Sequence, residues 1–196
     1  HEMAIEKAPS VGRPFVNTDI RVMGESGEEC QTGEVGEIAV KGDQVMREYL
    51  NDPDTTNATL KSGWLYTGDL GQMDDDGYLY VVDRKKDIII SGGENISSVE
   101  VESALYKHPK IMEAAVIGIP DVKFGEGVCA VVVPREGQEI AEQEVLTYCK
   151  KHLASYKKPR KVIFTDALPR NPSGKVLKRD LRKRYAGSEK KVFSRK

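Results

Sequence analysis

The spacing of apolar residues in the first part of the chain predicts short strands joined by turns. Residues 36–42, "GEIAVKG", alternate between apolar and polar side chains, as a half-buried strand does. Residues 19–23, "DIRVM", form a second short run, and in residues 73–83, "MDDDGYLYVVD", an Asp-Gly turn leads into a third. A short helical stretch is expected near residues 52–60, "DPDTTNATL". This part of the chain is therefore predicted to form a small twisted sheet or barrel.

The pattern then changes to an alternation of strands and helices. Residues 87–91, "DIIIS", predict a strand, and a glycine loop, "GGEN", follows it. A helix is expected to begin at Ser97, because Ser97 and Glu100 have the spacing of a capping box. This helix is expected to stop before Pro109. Its predicted apolar face consists of Val101, Ala104 and Leu105.

Further along, two long apolar runs at residues 113–121 and 127–135 predict paired central strands. Residues 139–153 have the apolar spacing of a helix, residues 161–166 predict a further strand, and residues 175–185 a final basic helix. The predicted fold class is α+β: a compact domain of this kind, preceded by a mostly β segment.

The charge distribution divides the chain at a similar place. Residues 1–83 contain six Lys and Arg against seventeen Asp and Glu, whereas residues 84–196 contain twenty-four against fourteen. Such an asymmetry between halves indicates two units of different origin or role. We therefore expect a first unit over residues 1–84 and a second over residues 85–196.

Several classes of protein are disfavoured by composition. The three cysteines and three histidines are scattered, so neither a disulfide framework nor a metal site is expected. No apolar run is long enough to cross a membrane. The basic stretch "KRDLRKRY" has no aromatic residues interleaved among its charges and no recognition fold of a nucleic-acid-binding segment. We expect a reduced, cytoplasmic protein that binds no nucleic acid.

Two stretches contain candidate binding residues. In residues 63–71, "GWLYTGDLG", Asp69 lies between two glycines at a predicted strand end, where its carboxylate could accept hydrogen bonds from two vicinal hydroxyls. From this stretch alone, a simple turn stabilised by Asp69 is the favoured interpretation. In residues 83–95, Arg84 and Lys86 lie at the predicted boundary, where a hinge would be found. A solvated charge run is the alternative.

A third stretch, residues 171–179 ("NPSGKVLKR"), places Lys175 behind a Pro-Ser-Gly turn at the head of the predicted basic helix. A phosphate-binding P-loop is excluded, because Pro169 replaces its first glycine and Val176 replaces its Ser or Thr. An ordinary surface lysine remains the alternative from these residues alone.

Taken together and in order, four stretches resemble successive motifs of the acyl-adenylate-forming superfamily. They are "GEIAVKGDQVMREYL", "GWLYTGDLG", "GYLYVVDRKKDIIISGGENI" and "LPRNPSGKVLKRDLR". The third is most similar to fatty-acyl- and aryl-CoA ligases. The resemblance implies a reaction in which ATP activates a carboxylic acid as an acyl-adenylate, after which the thiol of CoA displaces AMP. ATP, Mg²⁺, CoA and a carboxylic acid are the expected small molecules.

The resemblance also implies roles for individual residues. Asp69 and Arg84 would hold the ribose hydroxyls of ATP or AMP, and Lys175 would contact the α-phosphate and the acyl carboxylate during adenylation. Lys86 matches the hinge about which a C-terminal domain rotates between the two steps.

Ser91, Gly92 and Gly93 match a loop that borders the pantetheine channel of CoA. No metal-binding residue is implied.

One departure from the family is clear. Its Ser/Thr/Gly-rich phosphate loop and its "YGxTE"-like stretch are absent from this sequence. We therefore expect residues 1–84 to be the end of a larger N-terminal domain, residues 85–196 to be the mobile C-terminal domain, and the chain alone to be inactive and prone to self-association. The alternatives are an adenylating enzyme that loads a carrier protein and a nucleotide- or CoA-binding module without catalysis.

Overall fold

The computed structural model describes residues 7–186. Contacts between Cα atoms divide the chain between Lys86 and Asp87, two residues after the predicted boundary. Both units combine strands with helices, and the α+β fold class is confirmed. No helix among residues 7–186 has the length and apolar character needed to span a lipid bilayer.

Within residues 7–86, the first unit contains one five-stranded sheet and one short helix. The strands are β1 Thr18–Met23, β2 Gly36–Gly42, β3 Leu60–Lys61, β4 Trp64–Met73 and β5 Leu79–Arg84, and helix α1 is Pro53–Thr59. The order in the sheet is β1-β2-β4-β3, with β5 also paired to β4, and all pairs are antiparallel. The predicted strands and the predicted short helix of this region are confirmed.

The buried core of the first unit is small. It consists of Val22, Ile38 and Leu79, with a few half-buried apolar side chains packed around them. Several large apolar side chains of the same unit are exposed: Val11, Phe15, Val16, Val35, Tyr49, Leu50 and Val81. Few apolar side chains of the described residues in this unit therefore cover the faces of the sheet.

The second unit is built from a larger number of elements. They are β6 Ile89–Ser91, β7 Glu94–Ile96, α2 Ser98–Tyr106, β8 Ile111–Asp121, β9 Gly125–Pro134, α3 Glu142–His152, β10 Lys161–Phe164 and α4 Lys178–Tyr185. The sheet order is β10-β9-β6-β7, with β8 also paired to β9. Strands β9 and β10 are parallel, and the other pairs are antiparallel.

Alternate residues of β8 and β9 support two separate cores. One set, which includes Val116 and Val132, packs with Leu105 of α2 and Val145 of α3. The other set, which includes Ile117 and Val131, packs with Leu181 of α4. The predicted paired strands are therefore confirmed, and their continuous apolar runs reflect burial on both faces.

The helix predicted from Ser97 is also confirmed. The Ser97 side chain accepts a hydrogen bond from the backbone N–H of Glu100, which caps the first turn. Val101, Ala104 and Leu105 are buried, as the spacing predicts.

Several element boundaries differ from the prediction. The strand expected at residues 87–91 begins only at Ile89, because a 3₁₀ turn occupies Lys85–Asp87. The expected loop "GGEN" is in fact a tight hairpin, since β7 begins at Glu94 and pairs with β6. Helix α3 begins at Glu142 rather than at residue 139, after an extended Ala141.

The final helix begins at Lys178, three residues later than predicted. Gly174 has φ +83°, and Arg170 pairs with Val176 in an isolated antiparallel bridge. These features hold the intervening residues in a turn. The prediction that Lys175 lies at the head of the helix is therefore wrong.

Candidate functional site

Asp69 and Arg84 lie opposite each other on neighbouring strands of the first unit. The two residues are cross-strand partners in β4 and β5. The Nε of Arg84 donates a hydrogen bond to Oδ1 of Asp69 at 2.8 Å, and the two side chains are 53% and 38% exposed. The expectation that Asp69 lies at a strand end is wrong, since β4 continues to Met73.

What interrupts β4 at this point is a bulge. Glu37 of β2 pairs with Leu70, and Ala39 pairs with Tyr66, so Ile38 alone faces the three residues 67–69. Bulged residues lose regular ladder hydrogen bonds and re-aim their side chains. Here the bulge gives Asp69 its exposed position within a long strand.

The pair retains free hydrogen-bonding capacity. Among residues 7–186, Oδ2 of Asp69 and the two Nη nitrogens of Arg84 make no hydrogen bond. A carboxylate oxygen accepts from a hydroxyl, and a guanidinium N–H donates to one. Adjacent acceptor and donor groups of this kind suit a vicinal diol. An open pocket of about 360 Å³ lies in the same unit, lined by Tyr66, Gly68 and Lys85 among others.

Lys86 lies at the division between the two units. Its side chain is exposed, and it is the central residue of the 3₁₀ turn Lys85–Asp87. The next residue, Asp87, is buried, and its Oδ1 accepts a hydrogen bond from Nη2 of Arg182 at 2.7 Å. The chain therefore passes from an exposed residue to an anchored one within a single peptide unit.

Ser91, Gly92 and Gly93 form the β6–β7 hairpin of the second unit. Ser91 is buried at the end of β6, and Gly92 and Gly93 have φ values of +63° and +88°. The backbone N–H of Gly92 donates to the carbonyl of Phe124 at 2.9 Å, and a Cβ at Gly92 would lie 3.0 Å from the Phe124 ring. The hairpin therefore needs glycine at Gly92, for conformation and for space. The guanidinium group of Arg160 also lies over the Phe124 ring, with its Cζ 3.8 Å from the ring centroid.

Lys175 lies on a closed turn in the second unit. The backbone N–H of Asn171 donates a hydrogen bond to the carbonyl of Lys175 at 2.9 Å. The carbonyl of Asn171 accepts one from the backbone N–H of Gly174, also at 2.9 Å. The side-chain Oδ1 of Asn171 accepts from the backbone N–H of Lys175 and from the hydroxyl of Ser173, both at 2.8 Å. One asparagine side chain therefore fixes the shape of the turn, as such residues commonly do.

Arg170 attaches this turn to the sheet. Its Nη1 donates to the carbonyl of Gly174 at 2.6 Å, and its Nη2 to Oε2 of Glu113 on β8 at 2.7 Å. Lys175 itself is exposed, and no carboxylate within residues 7–186 pairs with it. The turn therefore presents an uncompensated cation on a braced backbone.

Other reactive groups of the described chain lie outside these sites. Burial raises the pKa of the Cys129 thiol to about 12 and that of Cys149 to about 11, so both stay protonated and inert at neutral pH. Residues 7–186 contain no group of three His, Cys, Asp or Glu side chains arranged to hold a metal ion.

Only the family resemblance linked Asp69 to Arg84 in the sequence, and the structure shows the two side chains in contact. The sequence did not indicate that Arg170 and Asn171 support the turn of Lys175. The asparagine could have been found, because an Asn at the start of a Pro-Ser-Gly turn is a known turn signal. The contact of Arg170 with Glu113 spans 57 residues, and no local pattern encodes it.

Comparisons with known proteins identify the family of this chain. The family model described as "AMP-binding enzyme" matches residues 1–50, and that described as "AMP-binding enzyme C-terminal domain" matches residues 100–175. A long-chain-fatty-acid–CoA ligase (FadD13) of Mycobacterium tuberculosis is 47% identical over 95% of this chain and 37% of its own length. A feruloyl-CoA synthase of Amycolatopsis is 49% identical over 92% of this chain and 37% of its own length.

Solved structures share the fold as well. The ATP-bound MatB of Rhodopseudomonas palustris has a TM-score of 0.87 and 42% identity, with 92% of this chain and 36% of that chain covered. The o-succinylbenzoate CoA synthetase (MenE) of Bacillus subtilis, in complex with its acyl-adenylate intermediate, has a TM-score of 0.86 and 44% identity, with 92% and 37% covered. This chain spans just over a third of the length of these relatives, and it belongs to the AMP-binding enzymes, the acyl-adenylate-forming family.

Proposed function

We propose that the whole protein containing this chain is an AMP-forming acyl-CoA ligase. The carboxylate of an acid attacks the α-phosphate of ATP, which forms an acyl-adenylate and releases pyrophosphate. The thiol of CoA then attacks the acyl carbon, which forms the thioester and releases AMP. The observation that carries this proposal is the exposed Asp69–Arg84 pair, whose unused acceptor and donor groups suit the vicinal hydroxyls of a ribose.

Lys175 supplies the charge that adenylation needs. The reaction brings together two anions, the acid and the α-phosphate, and a cation directed at both stabilises the transition state more than either ground state. The braced turn at Asn171 holds the backbone of Lys175 before substrate arrives. Such preorganisation avoids the cost of orienting a flexible lysine during the reaction.

The second half-reaction requires a different arrangement of the same groups. We propose that Lys86 is the hinge, because it is exposed at the division between the units and can change its dihedral angles without disrupting packing. Ser91, Gly92 and Gly93 then border the channel for the pantetheine arm of CoA. A hairpin with glycine at its tip permits close approach of a ligand to the backbone.

The test uses the whole protein with ATP, Mg²⁺ and CoA. The acids to be supplied are those in the names of the relatives: a long-chain fatty acid, ferulate and 2-succinylbenzoate. We expect pyrophosphate release with at least one acid and formation of its CoA thioester. Pyrophosphate release without thioester would support an enzyme that loads a carrier protein instead. Release of neither product would support a non-catalytic nucleotide- or CoA-binding module.

We further propose that this chain does not form an acyl-adenylate without the remainder of the protein. The sequence lacks the phosphate loop whose backbone N–H groups would hold the β- and γ-phosphates, so ATP would have only its ribose contacts and Lys175. Pyrophosphate release by this chain should be undetectable under conditions in which the whole protein turns over. Comparable release by both would contradict the proposal.

The exposed apolar residues of the first unit carry a related proposal. Phe15 is 82% exposed, Val16 77% and Leu50 85%, and large apolar side chains in such positions promote association. We expect this chain to self-associate in solution through its first unit. Sedimentation that shows a monomer across a wide concentration range would contradict this expectation.

A further inference from the structure

At the bulge that exposes Asp69, backbone groups need hydrogen-bond partners outside the β2–β4 ladder. On the side facing β2, residues 67–69 oppose only Ile38, so backbone groups of the bulge on that side lack a regular ladder partner. Unpaired backbone groups of this kind must find other partners or remain a cost to the fold. Gly68 has φ +74°, a conformation that suits glycine.

Two side chains supply these hydrogen bonds. The Thr67 hydroxyl donates to the carbonyl of Ile38 at 2.9 Å and accepts from the backbone N–H of Asp69 at 3.1 Å. Oε1 of Glu37 accepts from the backbone N–H of Gly68 at 3.2 Å. The shape of the bulge therefore depends on side chains of Thr67 and Glu37 and is not set by the sheet ladder.

Glu37 makes a second contact with its other oxygen. Oε2 accepts from Nζ of Lys85 at 2.8 Å. Gly68 immediately precedes Asp69, and Lys85 immediately follows Arg84. One carboxylate therefore contacts both strands of the Asp69–Arg84 pair, each at the residue next to the pair.

The burial of Glu37 makes this contact more than a surface ion pair. Its side chain is only 15% exposed, whereas that of Lys85 is 56% exposed. Exposed ion pairs usually contribute little, but a shielded carboxylate that also accepts a backbone hydrogen bond is held more firmly.

We propose that Glu37 is a positioning residue for the nucleotide: it acts through Gly68 and Lys85 to hold Asp69 and Arg84 at the separation that a ribose requires. This inference rests on the proposed function, in which the pair binds the ribose of ATP. Two groups that bind one diol must both be placed to within fractions of an ångström. The ribose takes no part in bond making, so loss of this positioning weakens ground state and transition state alike. The effect should therefore appear in KM for ATP and not in kcat.

The first test measures ATP kinetics in the whole protein. Glu37→Ala should raise KM for ATP about tenfold, the factor typical of a lost hydrogen bond to a charged group, with kcat within about threefold. Glu37→Gln keeps an oxygen for Gly68 and loses the ionic contact, so its KM should rise by a smaller factor, equal to that of Lys85→Met. The double variant of these two should be no worse than either one, because both remove the same contact.

Glu29→Gln is the matched control. Glu29 lies in the same unit and pairs with Arg21 at 3.4 Å, with both side chains about half exposed. Its kinetics should equal those of the wild type. A KM in Glu37→Ala that equals the KM of this control overturns the positioning role alone. A wild-type protein that activates no acid overturns the proposed function, and this inference with it.

A second measurement reports on the bulge directly in this chain. Amide hydrogen exchange at Gly68 should accelerate in Glu37→Ala and stay near the wild-type rate in Glu37→Gln, which retains the acceptor. If Glu37→Ala exchanges Gly68 as slowly as Glu29→Gln does, Glu37 does not hold the bulge and the inference fails. Faster exchange of every amide in the sheet, rather than at the bulge, would indicate general unfolding and would equally contradict a positioning role.

Discussion

The two units of this chain solve the problem of covering a five-stranded sheet in different ways. In the second unit, helices cover both faces, and its two cores contain thirteen and eight buried residues. Among residues 7–86 of the first unit, the core cluster contains three buried residues, and one short helix accompanies the sheet. The second unit therefore has the apolar burial of an independent domain, whereas the first lacks it.

The difference also affects how each unit supports the residues for which we propose a function. Lys175 lies on a turn fastened to a fully packed sheet by Arg170 and Glu113. Asp69 lies on a bulge of a sparsely packed sheet, where Glu37 and Thr67 supply the fastening. In the densely packed second unit, the side-chain hydrogen bonds attach a turn to the sheet. In the sparsely packed first unit, they replace backbone hydrogen bonds that the sheet lacks at the bulge.

The largest effect should come from the cation of the second unit. In the whole protein, Lys175→Ala should slow adenylation by roughly 10²–10³-fold, the usual cost of losing one preorganised electrostatic group. A group that faces two anions could cost more. Stability should change by less than about 0.5 kcal/mol, because Lys175 is exposed on its turn. Pyrophosphate release measures the first quantity and denaturant unfolding the second.

Thioester formation from preformed acyl-adenylate is the control for that variant. It should proceed at nearly the wild-type rate, because the cation is required only while two anions approach each other. Adenylation within about tenfold of wild type, or collapse of both half-reactions together, would refute the role given to Lys175.

Two leucines allow the packing contrast to be tested directly. Leu105 in the second unit is fully buried, whereas Leu50 in the first is 85% exposed. Leu105→Ala should destabilise its unit by about 2–5 kcal/mol, the range for large-to-small substitutions in a core. Leu50→Ala, the matched variant, should change stability by less than about 0.5 kcal/mol. Equal losses by chemical denaturation would show that the first unit is packed as well as the second.

The division between the units gives a smaller, selective effect. Lys86→Pro fixes φ near −65° and restricts rotation at the proposed hinge. In the whole protein, we expect one half-reaction to survive and the other to fall at least about tenfold, with Lys86→Ala close to wild type in both. Equal loss of both half-reactions would indicate misfolding or a direct role in ligand binding.

The smallest expected effect is a pH dependence confined to the second unit. Burial lowers the pKa of His108, Glu144 opposes this shift, and Lys110 adds to it. The unfolded chain therefore binds a proton more readily than the folded one, so stability should fall as pH drops through the unfolded pKa of about 6.5. One such group contributes at most about 1.4 kcal/mol per pH unit.

Denaturant unfolding between about pH 7.5 and about pH 5.5 measures the slope of the free energy of unfolding against pH. His108→Gln should flatten it in the second unit, while His152→Gln, a change at an exposed histidine of α3, should leave it in place. An unchanged slope in His108→Gln would show that other groups account for the pH dependence.

Much of the second unit could be predicted from sequence, because its signals are local. The apolar runs of β8 and β9 and the cap at Ser97 lie within a few residues of what they determine. The bulge at residues 67–69 could not be predicted, because it arises from the register between β4 and β2. The contacts of Glu37 with Gly68 and Lys85 span 31 and 48 residues. The family motif indicated that Asp69 and Arg84 work together, but only the paired strands show how they meet.

The link between Arg182 and Asp87 has a mechanical consequence for the proposed hinge. Asp87 directly follows Lys86, and Arg182 lies on α4, the helix that begins three residues after Lys175. Their side chains are 11% and 27% exposed, so this short ion pair is well shielded from solvent. If Lys86 is the hinge, as proposed, this ion pair ties the residue that follows the hinge directly to α4. On the proposed function, the turn that presents Lys175, which ends just before α4, would move together with α4 when the hinge turns.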